Sequence, residues 1–134
     1  MSRYSIKDID GLKNFYSEQF VRIVSNQLRI SMLEATVRIS ELTKYLAIVA
    51  AAKANDPKVH YSPPVNLDQV WHVWLKPENR QSYDEFCDKY LGRRVEHTPM
   101  PVQPRGNLED VARELDLKLN QFAWYSGDDD GDCG

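Results

Sequence analysis

The chain has 134 residues and a formal net charge of −3 at pH 7, and 42% of its residues are hydrophobic while 28% are charged. This composition and length suit one ordinary globular domain with a single core. The longest apolar run, residues 45–52, is too short to cross a bilayer, and the first residues lack the pattern of a secretory signal. We therefore expect no membrane association and take the cytoplasm as the default location.

The distribution of charge and cysteine narrows the choice of partners. Four aspartates lie within residues 128–134, so the rest of the chain is nearly neutral. This excludes the strong basic field with which proteins neutralise phosphates, and nucleic acid is not an expected partner. Two cysteines, Cys87 and Cys133, are too few for a disulfide framework, so we expect free thiols in a reducing compartment.

The amino-terminal half reads as two helices. Residues 6–54 contain no proline and repeat apolar side chains at steps of three and four. One helix of that length is unusual in a domain this size, and the polar residues within 25–30 favour a turn. We therefore predict two antiparallel helices, with the apolar face of the first running through residues 9–24. Residues 28–32 alternate in polarity and allow a short strand as an alternative.

Two shorter helices are predicted in the middle of the chain. Asn66 is a candidate cap, with Gln69 three residues later to reach back to it, and the helix runs to about Leu75. Ser82 and Glu85 form a second capping box for the next helix. Both helices carry aromatic residues at helical spacing, so we expect them to pack against the long pair.

A last helix is predicted after a proline-rich linker, capped by Asn107. Gly92 ends the helix before that linker in a left-handed turn. The tail 127–134 is too acidic to pack and is predicted to be disordered, which leaves residues 1–126 as one helical domain. The fold class is therefore all-α, an irregular bundle of about five helices. The buried stripe of the last helix is predicted to comprise Leu108, Val111, Ala112, Leu115, Leu119 and Phe122.

His72 is the first candidate site residue. On a helical wheel it falls roughly 130° from the centre of the apolar face of its own helix. Asp68 lies one turn earlier, within reach of the imidazole ring. An aspartate that orients a histidine occurs behind metal ligands and general bases, but also as a plain surface pair. The apolar face itself is predicted to comprise Leu67, Val70, Trp71, Trp74 and Leu75.

Two later residues extend this candidate site. Cys87 is on the following helix and His97 lies just past its end, so His72, His97 and Cys87 are candidate ligands for zinc or iron. The spacing matches no standard zinc finger, and the segment offers no fourth ligand. Cys87 is more simply read as a small core residue, and on that reading no cofactor is expected.

Residues 63–99, "PPVNLDQVWHVWLKPENRQSYDEFCDKYLGRRVEHTP", resemble the signature of glycine-rich domain-containing proteins, a family with a domain of unknown function. That signature is D-x-x-W-H-x-H, followed by a tyrosine and a cysteine on one helix, then a glycine and a histidine. One position departs from it, since Trp74 stands where the second histidine is expected. The resemblance implies a compact helical domain without an established reaction. The matching positions are Asp68, Trp71, His72, Tyr83, Cys87, Gly92 and His97.

Two functions follow as hypotheses, and no catalytic motif favours an enzyme. The first is a domain that binds an unidentified protein partner and uses a polar cluster to fix helix geometry. The second is a zinc- or iron-binding domain with hydrolytic activity, which requires the two imidazoles to lie within coordination range. The cluster is predicted to comprise Asp68, Trp71, His72, Tyr83, Cys87 and His97.

Overall fold

A computed structural model describes residues 4–59, 61–97 and 108–124, and these residues form helices without any strand. The predicted all-α class is therefore confirmed. Among the described residues, none of the helices combines the length and apolar character that a membrane span needs. The helices are α1 (Ile9–Lys13), α2 (Glu18–Leu28), α3 (Met32–Asn55), α4 (Val65–Trp74), α5 (Arg80–Phe86), which continues into a π-helical turn (Cys87–Leu91), and α6 (Leu108–Glu114).

The first predicted helix is wrong in one respect, because it is broken into α1 and α2. Ser17 caps α2 by accepting a hydrogen bond from the backbone N–H of Phe20 at 3.2 Å, and Asp8 caps α1 in the same way through Gly11. These side chains offer the backbone local partners that a continuous helix would not use. The apolar period therefore continues across a real helix boundary.

The predicted turn between the two long helices is confirmed. Arg29 ends α2 in a left-handed conformation with φ 56°, and Ser31 caps α3 through the N–H of Glu34 at 3.0 Å. The strand alternative for residues 28–32 is not observed. This short turn returns the chain so that α2 packs along α3.

Helix α3 is the centre of the fold. Helices α1, α2, α4 and α6 all contact it, so residues 45–52 are buried on every side. This explains why the sequence is continuously apolar there. The same arrangement presents one face of α4 to α3 and leaves the other face of α4 to solvent.

The predicted cap of α4 is wrong. The helix begins at Val65, immediately after Pro64, and its first turn has no side-chain cap. The Asn66 side chain instead donates to the backbone carbonyl of Ala123 at 3.4 Å. The Asn66 side chain was predicted to cap its own helix, but it hydrogen-bonds to a residue distant in sequence instead.

The predicted cap of α5 is wrong for the same reason. The helix begins at Arg80, which places Ser82 inside its first turn, where the Ser82 hydroxyl accepts a hydrogen bond from the Trp74 indole at 3.2 Å. The predicted terminator is confirmed, because Gly92 has φ 79° and its N–H donates to the Cys87 carbonyl. A side chain at that φ would be strained.

The last helix is shorter than predicted. Asp116 has φ 59° just past its end, and Phe122, assigned to the buried stripe, is 82% exposed. Leu108, Val111, Ala112 and Leu115 of that stripe are buried as expected. The predicted cap Asn107 and the tail 127–134 lie outside the described residues.

A buried carboxylate fastens the end of the described chain to α3. Glu41 Oε1 accepts from the Asn120 backbone N–H and from the Trp124 indole N–H, both at 2.8 Å, and Oε2 pairs with Lys44 at 2.7 Å. The Glu41 side chain is only 5% exposed. These bonds hold the residues that follow α6 against the central helix.

We expect Glu41→Gln to destabilise the fold by about 2 kcal/mol, because an amide replaces a charged acceptor and loses the ion pair with Lys44. Urea unfolding followed by circular dichroism measures this directly. The control is Glu34→Gln, which removes a half-exposed carboxylate and its ion pair with Arg38 from the same helix. Equal stability of the two variants would contradict the role given to Glu41.

Candidate metal centre

The exposed face of α4 carries the first two residues of the site. Asp68 and His72 are one helical turn apart, and Asp68 Oδ2 lies 3.3 Å from His72 Nε2. The His72 side chain is 60% exposed, as its position on the helical wheel predicts, and the Asp68 side chain is 35% exposed. Both polar groups therefore face solvent while Trp71 and Trp74 point into the core.

His97 completes the site from the other side. The chain leaves the π-helical turn at Gly92 and returns along the core, where the Tyr83 hydroxyl donates to the Val95 carbonyl. Two residues later, the His97 ring packs on Trp71 with centroids 4.5 Å apart, and its Nε2 lies 2.6 Å from Asp68 Oδ1. The Asp68 carboxylate thus contacts both imidazole rings, His72 through Oδ2 and His97 through Oδ1.

The three residues present donor atoms at coordination range. The ring centroids of His72 and His97 are 4.6 Å apart, and one donor atom each from Asp68, His72 and His97 lie within 4.8 Å of one another. Ligands of a tetrahedral zinc ion lie about 2.0–2.2 Å from the metal and therefore roughly 3.4 Å from one another. Asp68 oxygens lie 3.3 Å from His72 Nε2 and 2.6 Å from His97 Nε2, so the three side chains would have to rotate to place one donor atom each around an ion.

A second polar layer lies beneath this group. Trp71 belongs to this layer, and among the described residues its buried indole N–H has no acceptor at hydrogen-bonding geometry, although its proximity to the Tyr83 hydroxyl acts to lower the pKa of Tyr83. Burial dominates nonetheless and raises the pKa of Tyr83. The six residues of the predicted cluster therefore divide into an outer set of Asp68, His72 and His97 and an inner set of Trp71, Tyr83 and Cys87.

Cys87, one of the three predicted ligands, is not part of the group that can hold a metal ion among the described residues. It is fully buried, and burial raises the pKa of its thiol, while the polar interactions of the thiol with the Val95 backbone and with Tyr83 partly offset that effect. Asp68, predicted only to orient His72, takes the position of third donor. The thiol is a packed core group in a form unsuited to ligation.

We expect Cys87 to resist thiol reagents in the folded protein. In a Cys133→Ser variant, the remaining thiol should react with a disulfide reagent roughly 100-fold more slowly than free cysteine, because access requires opening of the fold and the thiol resists ionisation. Unfolding in urea should restore the full rate. Fast labelling of the native variant would contradict the burial of Cys87.

A small cavity adjoins the inner side of His97. Its volume is about 30 Å³, which holds one water molecule and no organic substrate. The residues that line it with His97 include Lys53, Glu96 and the aromatic side chains of Tyr45 and Trp71. The Lys53 ammonium donates to the Val59 carbonyl, and burial, followed by the nearby charge of Arg93, lowers its pKa. Among the described residues, this cavity is too small to admit an organic substrate to the site.

No family model, curated protein or solved structure matches this chain. The resemblance to glycine-rich domain-containing proteins therefore stays a prediction. What the site does has to be argued from its own geometry.

The sequence reasoning named all three residues of this group, although it placed Cys87 and not Asp68 among the metal ligands. The helical spacing of Asp68 and His72 predicted their contact. Asp68, His72 and His97 are also members of the predicted polar cluster, and Asp68 does contact both histidines. The contact between Asp68 and His97 joins residues 29 positions apart and depends on how the chain turns back after α5, so helical spacing alone does not predict it.

Proposed function

We propose that this protein binds a divalent transition-metal ion through Asp68, His72 and His97. The observation that supports the proposal is the convergence of two imidazoles and one carboxylate within 4.8 Å on the surface of α4. Zinc and iron(II) are the ions that most often use such a donor set. The proposal replaces Cys87 of the predicted ligand set with Asp68.

The surroundings of the three residues support the proposal further. Trp71 holds the His97 ring from below, so this ligand is ordered before a metal arrives. His72 stands in solvent and gives the ion a route to the site. Three protein ligands leave at least one coordination position for water, the arrangement of metal sites that activate water. Because the adjoining cavity is so small, a substrate of such a site would have to bind from solvent.

Metal content tests the proposal. We expect the untagged protein, reconstituted with zinc and dialysed, to carry about one ion per chain by elemental mass spectrometry, and the His72→Ala and His97→Ala variants to carry almost none. Gln69→Ala is the matched control, since Gln69 lies on the same exposed helical face and offers no imidazole or carboxylate. Metal-free wild-type protein, or full occupancy in both histidine variants, would contradict the proposal.

Protein binding is a second candidate function. Met32 and Leu33 are adjacent at the first turn of α3, and Leu33 is 76% exposed. Large apolar side chains together on a surface are typical of interaction sites. A photo-crosslinking residue at Leu33 is expected to capture one discrete protein that the same residue at Ala54, exposed at the other end of α3, does not capture. Equal labelling from both positions would contradict this candidate.

A further inference from the structure

The residues that follow α6 contact the helix that carries the proposed metal site. We call residues 117–124 the C-terminal segment. Its Ala123 carbonyl accepts the hydrogen bond from Asn66, which lies two residues before Asp68 in the first turn of α4. The bond runs through the Asn66 side chain, so it links the first turn of α4 to the C-terminal segment without capping the backbone N–H groups of that turn.

A row of aromatic rings connects the same segment to His97. Trp124 packs on Tyr45 with centroids 6.0 Å apart, and Tyr45 meets Trp71 edge to face at 5.8 Å. Trp71 in turn carries the His97 ring at 4.5 Å. Displacement of Trp124 would remove one wall of the packing that holds Trp71 and, through it, the half-buried ligand His97.

The C-terminal segment combines a few buried anchors with exposed side chains. Glu41 holds Asn120 and Trp124, and Lys44 donates to the Lys118 carbonyl at 2.5 Å. Leu117, Ala123 and Trp124 are buried, whereas the side chains at 118, 120, 121 and 122 are exposed. A short segment of this kind opens locally at a lower free energy than the central helix that it covers. Its position can therefore respond to a ligand that binds nearby.

We propose that the C-terminal segment is a positioning element of the metal site, so that docking of residues 117–124 and occupancy of the site stabilise each other. The inference rests on the proposed metal binding. Coupling of this kind is reciprocal: if the docked segment strengthens metal binding, the bound metal must hold the segment in place by the same factor. A merely structural segment would show neither effect beyond the general stability of the fold.

Hydrogen exchange tests one direction of the coupling. Zinc is expected to slow exchange of the Asn120 amide, which donates to Glu41, by about 5-fold or more relative to the Ile30 amide in the α2–α3 turn. Comparison with the Ile30 amide corrects for any general stabilisation of the fold by the metal. In Asp68→Asn, zinc should leave the ratio of the two exchange rates unchanged.

Zinc affinity tests the other direction. Asn66→Ala removes the hydrogen bond to Ala123, and Trp124→Leu removes the aromatic contact, so each should weaken zinc binding by about 5-fold or more. Gln121→Ala is the matched control within the C-terminal segment, since Gln121 is exposed, and it should bind zinc like the wild type. If Trp124→Leu fails to fold, Asn66→Ala alone tests the coupling, since Asn66 is a partly exposed helix residue whose replacement should leave the fold intact.

The outcomes separate the two proposals. Zinc binding that requires Asp68, with unchanged relative exchange at Asn120 and unchanged affinity in Asn66→Ala, would overturn this inference and leave the metal site intact. Failure of the wild-type protein to bind zinc would overturn both. Slowed exchange together with weakened binding in the variants would support the coupling.

Discussion

Asp68→Asn is expected to lower the affinity of the protein for Zn²⁺ by at least about 100-fold, since loss of a residue that only orients a ligand already costs 10–100-fold. Asp68 contacts both imidazoles and supplies the only negative charge among the three donors. Asparagine keeps the shape and a hydrogen-bond acceptor but removes that charge. Competition with a chromophoric zinc chelator measures the affinity over the required range.

Asp84→Asn is the matched control for this prediction. Asp84 is a partly buried carboxylate on α5 that pairs with Arg80 and Arg94 and lies outside the donor group. We expect this variant to bind zinc as the wild type does, although its ion pairs are lost. Similar losses of affinity in the two variants would mean that zinc responds to overall charge or stability, and the assignment of Asp68 as a ligand would be wrong.

Trp74→His is expected to destabilise the fold by about 3 kcal/mol or more, because it replaces a large core side chain with a smaller and more polar one. Trp74 is fully buried and stacks on Phe20 at 4.7 Å, with Tyr83 and Phe86 also in contact. This is the position at which the W-H-x-H pattern of glycine-rich domain-containing proteins calls for a second histidine. We expect the substitution to add no metal ligand, because the side chain points away from His72.

Urea unfolding of Trp74→His and Trp74→Phe measures this effect. Phenylalanine keeps most of the aromatic packing and loses only the indole hydrogen bond to Ser82, so it should cost less than histidine. Zinc titration of the histidine variant should give the same number of bound ions as the wild type. A Trp74→His protein as stable as the wild type, or one that binds a second ion, would contradict the structural role of Trp74.

The sequence predicted those features of the fold that depend on local periodicity. The exposure of His72 and the left-handed end at Gly92 follow from residue type and spacing, and so does most of the buried face of α4. Two positions on that helix differ from the prediction, because Val73 is also buried and Leu75 is only half-buried. The residues at which α4 and α5 begin were predicted incorrectly, since Asn66 and Ser82 hydrogen-bond to partners outside their own helices. A side chain that can cap a helix can equally satisfy a tertiary partner, and the sequence alone does not rank the two.

The candidate site divides in the same way. Asp68 and His72 are neighbours by helical geometry, and their pairing was predictable. The position of His97 and the burial of Glu41 depend on contacts between segments far apart in the chain, including Asn120 and Trp124. A glutamate within a helix ordinarily reads as a solvent-facing residue, so its role as a buried acceptor had no local signal.

A crystal structure of the protein grown with zinc, with anomalous data collected at the zinc edge, tests the proposed metal site most directly. We expect one anomalous peak about 2.0–2.1 Å from the ring nitrogens of His72 and His97 and about 2.0–2.2 Å from a carboxylate oxygen of Asp68, with water in the remaining position. A crystal saturated with zinc that shows no peak among these three residues would contradict it.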